Sequence, residues 1–263
     1  MKKMDWKKIL VLIAIVALIA VLLFFLVKKE DDKEVKASEE ETKIAENIIE
    51  EYLLSLTEGY NTPYSGIDVL YSKDKTTFED LSAGNIIRAA INYANLNNLD
   101  TSVSGNIIEN IKDTYDMNEY SPYNAKAIRQ AIKELFGKDF NGSSIDEPNY
   151  LYNYFYVEEY DIYLSGKNDN TVELDTNHSM NYRIIETTKI KDTLKTKVAI
   201  AYIYDNNGKL VFTSDSTGNN IVFENEDNNY DIPDEEVSKF TQYTITLKKS
   251  DDKYVFDNIR KEN

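Results

Sequence analysis

The 263-residue chain has no cysteine and a single histidine, His178. Without cysteine there can be no disulfide, no zinc–thiolate site, no thiol nucleophile and no lipid-modified N-terminal cysteine. An exported domain of this composition is held by its core alone, and about 220 residues beyond the N-terminal region suffice for one. Equally absent are a Gly-rich phosphate loop, a Gly-x-Ser-x-Gly elbow, a His-Glu-x-x-His pair and a dinucleotide fingerprint. These absences favour a non-enzymatic role, and no cofactor is expected. They leave open an acid–base hydrolase whose carboxylates come from distant segments.

What is present begins with an apolar run from Ile9 to Val27, free of charge and proline. At about 1.5 Å per helical residue it would reach roughly 28 Å, close to a bilayer core of ~30 Å. Lys2, Lys3, Lys7, Lys8 and Trp6 precede it, and Lys28, Lys29, Lys33 and Lys36 follow. Positive charge is therefore balanced across the run, and the short tail decides orientation as the easier side to leave in the cytoplasm. The expectation is a single-pass cell-membrane protein: cytoplasmic tail 1–8, transmembrane helix 9–27, charged linker 28–40 and an extracellular C-terminal domain. A cleaved signal peptide ending at Val35-Lys36-Ala37 is the competing reading.

The chain carries −16 overall, yet its first 29 residues hold six lysines and one aspartate, which leaves −21 on the rest. Such a surface repels phosphate backbones, so nucleic acid is a poor partner. Divalent cations, cationic peptides or basic proteins fit better. Cysteine-free exported chains rich in Asn, Lys, Ile and Tyr have the composition of low-GC Gram-positive bacteria.

Two halves follow the linker. Residues 41–140 read as helical. Ser38 and Glu41 form a capping-box pattern ahead of Ile44, Ile48, Ile49, Tyr52, Leu53 and Leu56. Helices are expected at about 41–57, 84–97, 103–115 and 122–136, the last with Ser121 as N-cap, Pro122 in its first turn and Gly137 past its end. Residues 60–77 read as a long loop. From 141 to 263 the period changes to two. Strands are expected over 150–164, 181–190, 196–204 and 209–214, the last entered through an Asn207-Gly208 turn. A terminal hairpin of 240–248 and 253–259 closes the chain, and 216–236 reads as acidic and irregular. Helices first and an antiparallel, curved sheet afterwards spell α+β.

The closing pattern Tyr243-Thr244-Ile245-Thr246-Leu247-Lys248-Lys249, a polar turn, then Tyr254-Val255-Phe256 resembles the last hairpin of NTF2-like (cystatin-like) domains. The likeness covers residues from about 180 onward. It implies a curved sheet and helices around a conical pocket, and it carries over no functional residue.

The candidate sites are few. Tyr150, Tyr152, Tyr154 and Tyr156 alternate on one strand face and could form a stacking platform for a glycan or peptide, or else core. Asp227, Asn229 and Asp231 offer oxygens at alternate positions as calcium loops do, but Ile232 and Ser238 stand where the glycine and bidentate glutamate belong. His178 sits in a polar turn with no identifiable partner. Glu158 and Glu159, adjacent on a strand, would point to opposite faces. Asp234/Glu235 is equally unspecific. The reading is a membrane-anchored extracellular binding or interaction module, accessory to a surface or secretion complex, with a protein partner or cell-surface ligand.

Overall fold

The computed structural model describes residues 18–19, 33–49, 74–142, 152–167, 178–215, 218–227 and 229–262. In chain order the first elements are β1 (Val35–Lys36), α1 (Glu39–Asn47), β2 (Lys75–Thr77), α2 (Ala83–Leu96) and α3 (Gly105–Ile111). There follow β3 (Tyr120–Asn124), α4 (Ala125–Phe136), β4 (Tyr152–Val157) and β5 (Ile162–Lys167). The C-terminal half is β6 (His178–Ile190), β7 (Thr193–Asn206), β8 (Lys209–Thr213), β9 (Ile221–Asn225), β10 (Thr241–Ser250) and β11 (Lys253–Lys261).

The large sheet runs β1-β6-β7-β10-β11-β2, with β8 and β9 branching from β7, and every pairing is antiparallel. A second sheet has the order β3-β5-β4. One face of the large sheet presents Leu194, Val198, Ile200, Ile245, Leu247 and Phe256 to Ile87 and Ile91 of α2 and to Ile128, Ile132 and Phe136 of α4. Each such side chain, taken fully out of water, contributes about 1.5–3 kcal/mol, so this layer is the principal core.

The central strand β7 changes character along its length. From Thr193 to Val198 burial alternates, with Lys195 and Lys197 half-exposed between buried neighbours. From Val198 to Ala201 every residue is buried. Ala199, Ala201 and Ile203 face away from the helices and meet Leu210, Phe212, Ile232 and Phe240 in a second core. Phe212 and Phe223 stack there, with ring centroids 4.1 Å apart.

The expected fold class needs correction. Among the described residues no helix is long and apolar enough to cross a membrane. Of the expected transmembrane helix only Leu18 and Ile19 are described, and the rest of 9–27 lies outside the described residues. The architecture is therefore a sheet-rich α+β fold with helices on one face of a large antiparallel sheet.

Other elements differ for local reasons. The expected strand 150–164 is a hairpin: Glu158–Tyr160 form a short 3-10 turn, and Asp161 turns the chain with a left-handed φ of 49°. Residues 120–124 pair with β5 as an edge strand, Pro122 opposite Leu164, an edge being where proline removes no ladder bond. The cap of α4 is accordingly Asn124, whose Oδ1 accepts from the amides of Lys126 at 3.0 Å and Ala127 at 3.3 Å. β2 lies in the expected loop 60–77, and β9 in the stretch read as irregular. Helix α1 begins at its capping box, Ser38 and Glu41 exchanging backbone bonds at 3.1 and 3.2 Å. Its expected extension past residue 49 lies outside the described residues.

Candidate functional site

A deep concavity among the described residues lies at one end of the large sheet. Two tight turns meet there, Lys191-Asp192 between β6 and β7 and Asp251-Asp252 between β10 and β11. Lys191 and Asp251 both hold left-handed φ values, 52° and 54°, as two-residue hairpin turns require. The N-terminal part of α1 and the C-terminal ends of α2 and α4 close over the same end. The cleft between them has a volume of about 580 Å³. Its apolar wall is Ile44, Ile48 and Leu135. Its rim carries Glu40, Glu41, Glu134, Asp192 and Asp252 against Lys189, Lys249 and Lys253.

Two networks fix the rim. Lys189 on β6 donates to Glu41 on α1, and this bond, assisted by the amide and hydroxyl of Ser38, holds the Glu41 carboxyl below the usual carboxylate range. The Lys189 ammonium is raised in turn by the same bond. Across the cleft, the Tyr93 hydroxyl donates to Glu134 at 2.7 Å, and Lys253 approaches the same oxygen at 3.4 Å. Gln130, donating to the other Glu134 oxygen at 3.0 Å, is the main cause of its lowered pKa, which burial partly opposes. Burial pushes the Tyr254 phenol up. Both carboxylates therefore stay ionised at neutral pH, and the cleft offers an apolar wall beside an excess of negative charge.

The sequence-derived candidates lie elsewhere. Tyr154 is 3% exposed and belongs to the principal core. Tyr156 is half-buried, and its hydroxyl donates to Asp161 at 2.8 Å. Tyr150 lies outside the described residues, and Tyr152 is described only by its place at the start of β4, opposite Lys167. Outward on β4 stands Phe155 instead, 43% exposed, edge-on to Tyr120. Of the four tyrosines, Tyr154 thus takes the core place that was the alternative to a ligand platform.

Asp227, Asn229 and Asp231 sit in one loop whose oxygens serve its own backbone. Asn225 accepts from the Asp227 amide at 2.7 Å, and Asn229 accepts from the Asp231 amide at 3.0 Å. Among the described residues no group of three or more Asp, Glu or His side chains is gathered as for a metal ion. His178 opens β6 opposite Tyr204, where a turn was expected. Glu158 and Glu159 are exposed on the 3-10 turn, where a strand was expected. Asp234 pairs with Arg183 at 2.5 Å.

No sequence motif marks the cleft, because its rim is assembled from segments as far apart as Glu41 and Lys189. The one local signal that could have marked it is the aspartate at the second position of each tight turn, Asp192 and Asp252. No protein-family model, curated protein or solved structure matches the chain.

Proposed function

We propose that the protein is a binding module displayed at the cell surface, whose cleft receives a basic and partly apolar group from a protein or peptide partner. The observation that carries this reading is the cleft itself: Ile44, Ile48 and Leu135 form an apolar wall beneath a rim with five carboxylates and three lysines. A ligand ammonium or guanidinium finds ionised oxygens there, while its hydrocarbon stem lies along the wall. The −16 charge of the chain favours the approach of a basic partner. The apolar run from Ile9 to Val27 supports a place at the membrane, and the domain would then serve a surface or secretion complex. The β10–β11 hairpin, which resembles NTF2-like domains, contributes Lys249, Asp252, Lys253 and Tyr254 to the cleft.

The test is site-directed photocrosslinking from position 97, in the cleft lining, with the full-length protein in its own membrane. A basic partner should be captured reproducibly and in stoichiometric yield. The triple variant Glu40→Lys, Asp192→Lys, Asp252→Lys, with an unchanged circular dichroism spectrum, should reduce capture at least tenfold. Capture that is indifferent to this charge reversal overturns the reading.

A further inference from the structure

The described residues cover only part of the face of the large sheet turned away from the helices. The second core occupies it where β7 carries Ala199, Ala201 and Ile203. Beyond that, where β7 carries Lys195 and Lys197, a polar concavity of about 520 Å³ remains. Strand pairing sets its side chains in one row: Glu186 opposite Lys197, Lys197 opposite Thr244, Thr244 opposite Arg260 and Arg260 opposite Lys75. Partners directly opposite share a face, and neighbouring strands lie ~4.8 Å apart, so the row sets three cations along about 14 Å. Thr244 stands between two of them, and Thr246 lies on the same face one pleat further along.

These cations are not consumed by the fold. Glu34 takes Lys195 at 3.9 Å and the Thr188 hydroxyl at 2.6 Å. Among the described residues no carboxylate lies within 4.0 Å of the charged atoms of Lys75, Lys197 or Arg260. Lys197 is half-buried between its neighbours, a position in which an ammonium gains from a counter-charge more than it would in open water. A guanidinium beside it adds the planar fork that fits a phosphate or carboxylate through two bonds.

We propose that this row binds a compact anion carrying at least two phosphate or carboxylate groups, held by Lys197, Arg260 and Lys75 with the Thr244 and Thr246 hydroxyls donating between them. The ligand is compact because the surrounding charge is negative. Glu186 ends the row on one side, and the −16 of the whole chain repels a long polyanion. The site is on the opposite side of the sheet from the cleft and does not depend on it.

The experiment is isothermal titration of the full-length protein in detergent with sodium tripolyphosphate and, separately, with citrate, at low ionic strength. Saturable one-to-one binding of either probe is expected, tripolyphosphate alone marking a phosphate ligand and citrate alone a carboxylate one. The double variant Lys75→Gln, Arg260→Gln, at two exposed positions, should weaken binding at least tenfold. Lys197→Gln should do the same, and Glu186→Gln should strengthen binding. Lys112→Gln, just past the end of α3, should change nothing. Absence of saturable binding of both probes, or binding unaltered in the double variant, overturns the proposal. The cleft charge-reversal variant should bind both probes as the wild type does, so the two proposals fail separately.

Discussion

Asp161 illustrates how one side chain joins two elements. Its backbone turns β4 into β5, its carboxylate takes Arg129 of α4 at 2.7 Å, and it accepts from the Tyr156 hydroxyl at 2.8 Å. The Arg129 bond is the main cause that holds its pKa below the ordinary 3.8, against burial. Asp161→Asn keeps a residue that tolerates left-handed backbone and removes the charge. The pair is partly exposed, so the expected loss is about 1 kcal/mol after screening, read from the urea midpoint at pH 7. A carboxyl lowered in the folded state stabilises fully above its unfolded pKa, and that contribution fades as pH falls through the folded value. The difference between wild type and variant should therefore shrink below pH 3.8. A variant gap that does not narrow at all as the pH falls below 3.8 would show that the charge is not its source. Legibility at this scale followed sequence distance. The Ser38–Glu41 capping box could be read directly from its three-residue spacing, whereas Lys189–Glu41 and Arg129–Asp161 depend on tertiary placement that no local pattern encodes.

At the scale of elements, α4 shows both what the pattern reveals and what it conceals. Its stripe of Ile128, Ile132, Leu135 and Phe136 and its Gly137 stop were legible because period and cap are local properties. Its start was not. Ser121-Pro122 is a good helix opening in isolation, but pairing with β5 gives residues 120–124 a ladder, and Asn124 then supplies a better-placed cap. Asn124→Ala should cost about 1 kcal/mol of stability, while Ser121→Ala should cost little. Gly137→Ala should cost about 1–2 kcal/mol, since φ is +64° and the new methyl would stand 3.1 Å from Val255 Cγ2. Chemical denaturation of the three variants checks the order. β2 and β9 escaped reading because three to five residues are too few to establish a period of two. Tyr154 and Tyr156 show a different gap. Alternation on a strand reveals that two faces exist, and only the packing of α2 and α4 determines which one is inside.

For the whole molecule, the decisive arrangement is a single sheet with different neighbours on its two faces. The sequence suggested helices over a sheet but not the second core, since its members, from Ala199 to Phe240, are joined by turns and a loop without periodicity. Phe212 is fully buried there and stacked on Phe223. Phe212→Ala should cost about 3–5 kcal/mol, comparable to a truncation in the principal core such as Ile128→Ala at about 2–5 kcal/mol. If the two cores fold as one unit, tryptophan-independent probes on either side, such as fluorine-labelled tyrosines, should report the same urea midpoint in both variants. Separate midpoints would mean that the layers unfold independently.

The changeover within β7 bears on how the molecule opens. Between Val198 and Ala201 the strand is buried on both faces, paired with β6 along one edge and, from Val198 to Ile200, with β10 along the other. Water can reach those amides only when both layers part together. In heavy water they should be the last to lose their protons, at a rate set by opening of the entire domain, while those of Lys195 and Lys197, beneath the open polar face, exchange sooner. A labelling clock on this one strand would time the breathing of the sheet from its dry end to its wet one.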